Sequence, residues 1–350
     1  MRLLALCLSL VCAALAIGIP FYSPAAEPVR LMGAGATFPY PFYAQAFSRY
    51  SAANGVEIHY DAVGSGKGIE RLLKREVDFA GTDAFMTEKE AREAGAPVVH
   101  VPTCIGAVVV VYNLPGNPKL RLGPDTLSDI FLGNITRWND PRLRETNPGV
   151  RLPDLPIEVI HRSDGSGTTF IFSDYLSKVS PQWNRIMGKG KSLQWRVGRG
   201  AQGNPGVAGA VSLTPGAVGY VELIYALGHD MTFAAIRNRA GEFVEPDTAS
   251  VSLAARIPIP ENTEASLTDT EAPGGYPISG LTWIALYREQ QYQGRKKEQA
   301  LALAKLLWWL THEGQALAEP LHYAPLPQEV VLRAERLLSS LTFAGAPLLP

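Results

Sequence analysis

Three short glycine-rich segments in this chain each follow a run of strand-forming residues and precede a helical one. They are Gly33-Ala34-Gly35-Ala36-Thr37-Phe38, Gly64-Ser65-Gly66-Lys67-Gly68 and Arg162-Ser163-Asp164-Gly165-Ser166-Gly167-Thr168-Thr169. A chain punctuated in this way alternates strand and helix, which is the α/β pattern. Val56, Ile58 and Tyr60 alternate with polar neighbours and predict a strand; Ile69, Leu72 and Leu73 then make a short helical stripe. Val77–Ala80 reads as a further strand, and Thr87-Glu88-Lys89-Glu90 has the spacing of a capping box that opens a helix. Ile105–Tyr112 is a long apolar strand of the kind buried on both faces. A second series follows: strand Ile157–His161, a helix from about Thr169 to Ser177, and strand Val218–Val221. Pro141–Pro156 and the Gly/Pro-rich Gly198–Gly216 read as loops. Towards the end, Ile278–Leu286 predicts a strand, and Arg295–Leu310 a helix whose Leu, Trp and Ala positions face a core.

The 350 residues suggest roughly two domains at the usual ~100–200 residues each. With 32 Lys plus Arg against 33 Asp plus Glu, the chain lacks the basic excess of a nucleic-acid binder, so no nucleic-acid partner is expected. A charged fraction of 19% excludes disorder and coiled coil. Residues 1–25 read as an export signal: Arg2 is the positive start, Leu3–Ile19 an uncharged apolar run, and Ser23-Pro24-Ala25 places small residues before a cut. The 17-residue run falls short of the ~20 of a spanning helix, which favours a cleaved signal over an anchor. Cleavage removes Cys7 and Cys12, leaving Cys104 as a buried apolar residue and no disulfide.

At the carboxyl end of a strand, the free N–H groups of the next helix point into a common crevice, and the helix dipole favours an anion there. Glycine permits close backbone approach, and Ser or Thr adds a hydroxyl donor. Three such junctions in one chain therefore suggest several helix N-termini converging on one anion. Arg162 supplies a forked, charged donor for a tetrahedral oxyanion, and Asp164, two residues on, points to the same side and can hold the fork. Familiar enzymatic signatures fail. Phe38 stands where a dinucleotide fingerprint needs its third glycine, Gly66-Lys67 lacks Walker spacing, and Ser166 has Asp164 rather than glycine two residues back. The histidines form no HExxH pair, so neither a metal nor a cofactor is expected.

Taken together, the segments GAGATFP (33–39), GSGKGI (64–69), VDFAGTDA (77–84), PTCIGAVVVVYN (102–113), DIFLGNITRWND (129–140), HRSDGSGTTFIFSDYL (161–176), PGAVGYVE (215–222) and YPISGLTWI (276–284) resemble the exported phosphate-binding proteins of phosphate-specific ABC transporters. The resemblance runs in family order across nearly the whole mature chain. It implies an α/β, two-lobed periplasmic-binding-protein fold of type II, which closes by hinge motion on a ligand in the interlobe cleft. On that mapping the first lobe is 26–105 plus 277–350 and the second 106–276. The resemblance assigns phosphate contacts to Thr37, the amide of Phe38, Ser65, Asp83, Arg162, Ser166, Gly167 and Thr168, with Asp164 orienting Arg162. Two positions depart from the pattern: Gly66 stands where some members carry a serine, and His161 where some carry an arginine.

Asp83 looks misplaced in an anion site, and capping the helix near Thr87 is its plain structural reading. Phosphate, however, keeps a proton near neutral pH and can donate it to a carboxylate. Sulfate cannot, and would leave two acceptors facing each other. The resemblance thus implies a non-catalytic carrier, monomeric and periplasmic, that hands inorganic phosphate to transmembrane permease subunits served by a separate ATPase subunit. The alternatives are a secreted phosphatase-like enzyme and a binder of another protonated oxyanion such as arsenate. An enzyme would need a nucleophile beside a base, or metals, and neither stands near Ser65, Ser166 or Arg162.

Overall fold

The computed structural model describes residues 28–292 and 294–349. The expected export signal, with Cys7 and Cys12, lies outside them. The chain opens with β1 (Val29–Gly35), α1 (Tyr40–Asn54), β2 (Val56–Ala62), α2 (Ser65–Leu73), β3 (Phe79–Thr82), α3 (Glu88–Ala94) and β4 (Val98–Tyr112). The short strand β5 (Arg121–Leu122) and helices α4 (Pro124–Leu132) and α5 (Pro141–Thr146) lead to β6 (Glu158–Arg162), α6 (Gly167–Val179) and α7 (Pro181–Ile186). Next come β7 (Arg199–Ala201), α8 (Gly203–Leu213), β8 (Ala217–Glu222) and α9 (Leu223–Gly228). Strands β9 (Thr232–Phe233), β10 (Ala235–Arg237) and β11 (Phe243–Val244) and helix α10 (Thr248–Ala254) precede β12 (Ser279–Tyr287). Helices α11 (Lys297–Thr311) and α12 (Gln328–Ser339) and the hairpin of β13 (Thr342–Phe343) and β14 (Ala346–Pro347) complete the described chain.

The main sheet runs in the order β2-β1-β3-β12-β4-β8-β6-β7. Parallel pairing of β1 with β2 and β3 makes one α/β half, and parallel pairing of β6 with β7 and β8 makes the other. Strand β4 belongs to both. It pairs antiparallel with β12 from Val98 to Ala107, and with β8 from Val108 to Tyr112. Its burial is nearly complete, with Cys104 and Ile105 at 0% exposure, as a strand covered on both faces requires. The strand starts at Val98 rather than at Ile105. Pro102 and Thr103 break the apolar run and coincide with a register shift opposite Thr282 and Trp283, where the ladder tolerates a residue without a donor.

The capping box at Thr87 forms, with the Glu90 amide donating to the Thr87 hydroxyl at 3.2 Å and the Thr87 amide to the Glu90 carboxylate at 2.7 Å. Two segments read as loops are not. Pro141–Thr146 is α5, begun by Pro141 behind Asp140, whose carboxylate accepts from the Arg142 amide at 2.9 Å. Within Gly198–Gly216 lie β7 and α8. Glycine and proline argue against a helix there, but Val207 and Val211 are buried over Gly219 of β8, and that packing overrides the weak local propensity. In α11, Trp308 is 37% exposed and stacks on His312 instead of entering the core.

Helix α2 seats its first turn directly on β1. A β-carbon at Gly68 would lie 2.5 Å from Gly35 Cα and 2.7 Å from the Ala34 carbonyl oxygen, both immobile backbone atoms. Gly68→Ala is therefore expected to cost about 1–3 kcal/mol as overpacking, read as a lowered urea midpoint. An unchanged midpoint would mean that α2 does not sit this close.

Candidate functional site

The three glycine-rich junctions meet. Thr37 and Phe38 lie between β1 and α1, Ser65 begins α2, and Ser166 is the residue immediately before α6. The Ser65 hydroxyl oxygen accepts from the Gly167 amide at 3.1 Å and from the Asp83 amide at 3.3 Å, so one side chain joins three segments. Beside it the Gly66 amide donates to the Gly165 carbonyl at 2.8 Å. A β-carbon at Gly66 would stand 3.0 Å from Gly165 Cα, a physical reason for glycine at this position.

Arg162 ends β6 and is 4% exposed. Its Nε donates to Asp164 Oδ1 at 2.7 Å, its Nη2 to Asp164 Oδ2, and its Nη1 to Thr168 Oγ1 at 3.2 Å. Burial tends to raise the Asp164 carboxyl pKa, but the Arg162 fork and the Gly203 amide outweigh it and leave the value below the usual range. Asp164 is thus an ionised partner that fixes the guanidinium, as its spacing from Arg162 anticipates.

Asp83 follows β3 and is 2% exposed. Its Oδ1 accepts from the Thr282 hydroxyl at 2.8 Å, beside the register shift in β12 that aims this side chain at it. Burial pushes its pKa up to about 7, against the lowering effects of the Thr282 hydrogen bond, the Arg162 charge and Ser65. The plain capping reading of Asp83 fails, because Thr87 and Glu90 cap α3 themselves.

The Phe38 ring is core, edge-on to Tyr323, and its carbonyl accepts from the Tyr323 hydroxyl at 2.6 Å. Its amide, the group assigned by resemblance, donates to no described group, and neither does that of Thr168. The Ser166 oxygen is engaged as the cap of α6, accepting from the Thr169 amide at 3.0 Å. His161 turns aside and stacks on Trp195 with ring centres 4.7 Å apart. Trp138 and Trp183 are core residues at 0% exposure.

Sequence reasoning missed a fourth junction of the same type. Gly203, with φ of 69°, follows β7, and Asn204 in the first turn of α8 reaches both Thr37 and Thr168. The signal was the same strand–glycine–helix order, hidden by reading Gly198–Gly216 as loop. Tyr225, whose hydroxyl donates to the Thr37 carbonyl at 2.6 Å, and the ion pair of Lys191 with Glu90 at 2.6 Å carried no local signal.

The assembly presents helix N-termini, hydroxyls and one neutralised guanidinium, with a single acceptor, Asp83. Such a set suits a small, fully desolvated anion that still carries a proton. Among the described residues, no group of three or more His, Cys, Asp or Glu is placed to hold a metal ion.

A model of the PBP superfamily domain matches residues 23–311. The phosphate-binding protein PstS of Xylella fastidiosa (strain Temecula1) is 41% identical over 89% of this chain and 86% of its own. That of Pasteurella multocida is 37% identical over 92% and 93%. The chain belongs to the PstS family of binding proteins. The solved structure of a phosphate-binding protein from Stenotrophomonas maltophilia, 18% identical, superposes over 87% of this chain and 93% of that one with a TM-score of 0.66. The chain thus has the two-lobed α/β fold of periplasmic binding proteins. Because PstS relatives span most of its length, the junctions above sit within the shared fold and not on an appended segment.

The raised Asp83 carboxyl has a consequence for stability. The folded, ligand-free protein retains a proton that the unfolded chain, titrating near pH 4, has lost. Stability should therefore fall as pH rises from about 4 to about 7. Asp83→Asn removes this contribution: its urea midpoint should exceed wild type at pH 8 and approach it near pH 4. A constant difference across that range would refute the burial effect. At Gly167, a β-carbon would meet Asp83 Oδ2 at 2.3 Å and Ser65 Oγ at 2.6 Å. Gly167→Ala should keep the cleft from closing and weaken ligand uptake at least tenfold with little change in melting temperature; equal uptake would show that closure needs no such approach.

Proposed function

We propose that this protein binds inorganic phosphate in the interlobe cleft, outside the cytoplasmic membrane, and delivers it to the transmembrane permease of a phosphate ABC transporter whose ATPase is a separate subunit. The observation that carries this reading is Asp83, one buried carboxylate among otherwise donating groups. A protonated oxyanion satisfies every partner there, whereas sulfate would face Asp83 acceptor to acceptor, at a cost of several kcal/mol in a dry site. The relatives named for phosphate binding support the same ligand.

In this reading Thr37, Ser65, Ser166 and Thr168 contribute hydroxyls, Phe38 and Gly167 contribute amides, Arg162 contributes its fork, and Asp83 accepts the ligand's proton. The lobes are 26–105 with 277–350, and 106–276. This division is supported by β4 leaving β12 for β8 between Ala107 and Val108, close to the boundary. The protein acts as a monomeric periplasmic carrier and not as a catalyst. Ser65 and Ser166 spend their oxygens on backbone amides and touch no histidine, so neither is an activated nucleophile. No helix among the described residues is long and apolar enough to cross a membrane.

Micromolar affinity needs only about −8 kcal/mol, fewer than the summed charge-assisted bonds at ~1.5–3 kcal/mol each, so lobe closure and ligand desolvation absorb the difference. Calorimetric titration at pH 8 should show tight phosphate and negligible sulfate binding, and Arg162→Ala should lose ~2–5 kcal/mol for phosphate. Sulfate uptake should emerge as pH falls below about 7, where Asp83 gains a proton it can donate. Equal binding of both anions at pH 8, or an unaffected Arg162→Ala, would overturn the assignment.

A further inference from the structure

A hydroxyl has one hydrogen to give and two lone pairs to receive with. At Thr37, both lone pairs are occupied by one residue: the Asn204 amide donates to Oγ1 at 3.1 Å and the Asn204 Nδ2 at 2.9 Å. At Thr168 they are occupied by Arg162 Nη1 at 3.2 Å and again by Asn204 Nδ2 at 3.1 Å. None of these nitrogens can accept. The orientation of the Asn204 amide is fixed, because its Oδ1 accepts from the Glu222 amide at 3.0 Å, so Nδ2 must be the end that faces both threonines. Asn204, Thr37 and Thr168 are 0%, 4% and 0% exposed, so water does not compete for these positions.

We propose that Asn204 is a specificity-positioning residue: by filling the lone pairs of Thr37 and Thr168, it compels both hydroxyls to point their hydrogens at the bound anion. Without it, either threonine can rotate and present a lone pair, which would repel an oxyanion. At Ser65 the backbone fills the same positions, its oxygen accepting from the Gly167 and Asp83 amides, but its hydrogen is given to Asp83 Oδ2 at 3.5 Å. Arg162 alone cannot set Thr168, since it fills only one lone pair, and it does not reach Thr37. Asparagine suits the task because its two divergent N–H bonds serve two oxygens while its carbonyl is pinned behind them. It also ties α8 to the loop before α1 across the cleft, so hydroxyl direction and lobe closure are set by one side chain. The inference rests on the cleft being a phosphate site.

The test is calorimetric titration of the full mature protein with inorganic phosphate at pH 8, combined with a mutant cycle. Asn204→Leu, close in shape and without donors, should weaken phosphate binding about 10- to 100-fold. Asn204→Asp keeps the shape and the acceptor for the Glu222 amide, so the fold is retained, and should lose at least as much because an acceptor now draws both hydrogens inward. In a Thr37→Val, Thr168→Val background, already weakened, adding Asn204→Leu should change affinity by less than about threefold. A loss that is fully additive in the triple variant would mean that Asn204 acts by packing alone and would overturn the proposal. So would either Asn204 variant binding phosphate within about threefold of wild type. Wild-type protein that takes up no phosphate would instead overturn the proposed function, and this inference with it.

Discussion

The arrangement of the site follows from burying one guanidinium. Arg162 is 4% exposed, and a cation taken that far from water costs several kcal/mol unless its charge and its N–H groups are matched. Asp164 matches the charge and two of the N–H groups, and the Thr168 oxygen takes a third. The pair is then nearly neutral, so attraction for an anion must come mainly from oriented dipoles. This accounts for a site built from the starts of α1, α2, α6 and α8 in place of a cluster of lysines. It also explains why a chain with 32 basic and 33 acidic residues can recognise an anion: net charge governs long-range steering of polyanions, not the filling of a dry cleft.

Much of this was legible in the sequence because the relevant signals are local. A glycine at a strand–helix junction, a hydroxyl beside it and an arginine two residues before an aspartate each have meaning within a few residues. The resemblance then supplied what spacing could not, namely that Asp83 joins them from a different strand. The misses are non-local. Asn204 lies in a helix whose glycines and proline contradict helical propensity, and only the packing of Val207 and Val211 over Gly219 reveals the helix. Ser166, assigned to the ligand by resemblance, also has its oxygen capping α6, a second demand visible only once the Thr169 amide is placed. The seven residues of β4 before Ile105 were hidden by Pro102, which the register shift accommodates.

That register shift links the site to the frame. It places Thr282 of β12 where its hydroxyl meets Asp83, while the Thr103 hydroxyl, on the residue left unpaired in β4, donates to the Thr282 carbonyl at 3.2 Å. The acceptor Asp83 is thus held by a side chain from the two long central strands, β4 and β12. The cleft's donors rest on separate helix starts that approach from either half of the sheet. A rigid acceptor with movable donors is what a hinge-closing binder needs, since closure then assembles the donors around a fixed proton acceptor.

Release must also be possible, and the same groups permit it. The contacts that join the halves are mostly neutral: Gly66 to Gly165, Gly167 to Ser65, and Asn204 to Thr37. Each can exchange for water at a net difference of about 0.5–1.5 kcal/mol. Arg162 and Asp164 open as a unit, because both lie on the β6–α6 segment and neither charge has to leave its partner. The Lys191–Glu90 pair is charged, but both side chains keep some solvent contact at 12% and 20% exposure, so water can take over as they separate. Had the anion been held by unpaired cations from both halves, opening would have parted buried charges and trapped the ligand. Dipoles bind an anion tightly when assembled and can be disassembled at modest cost.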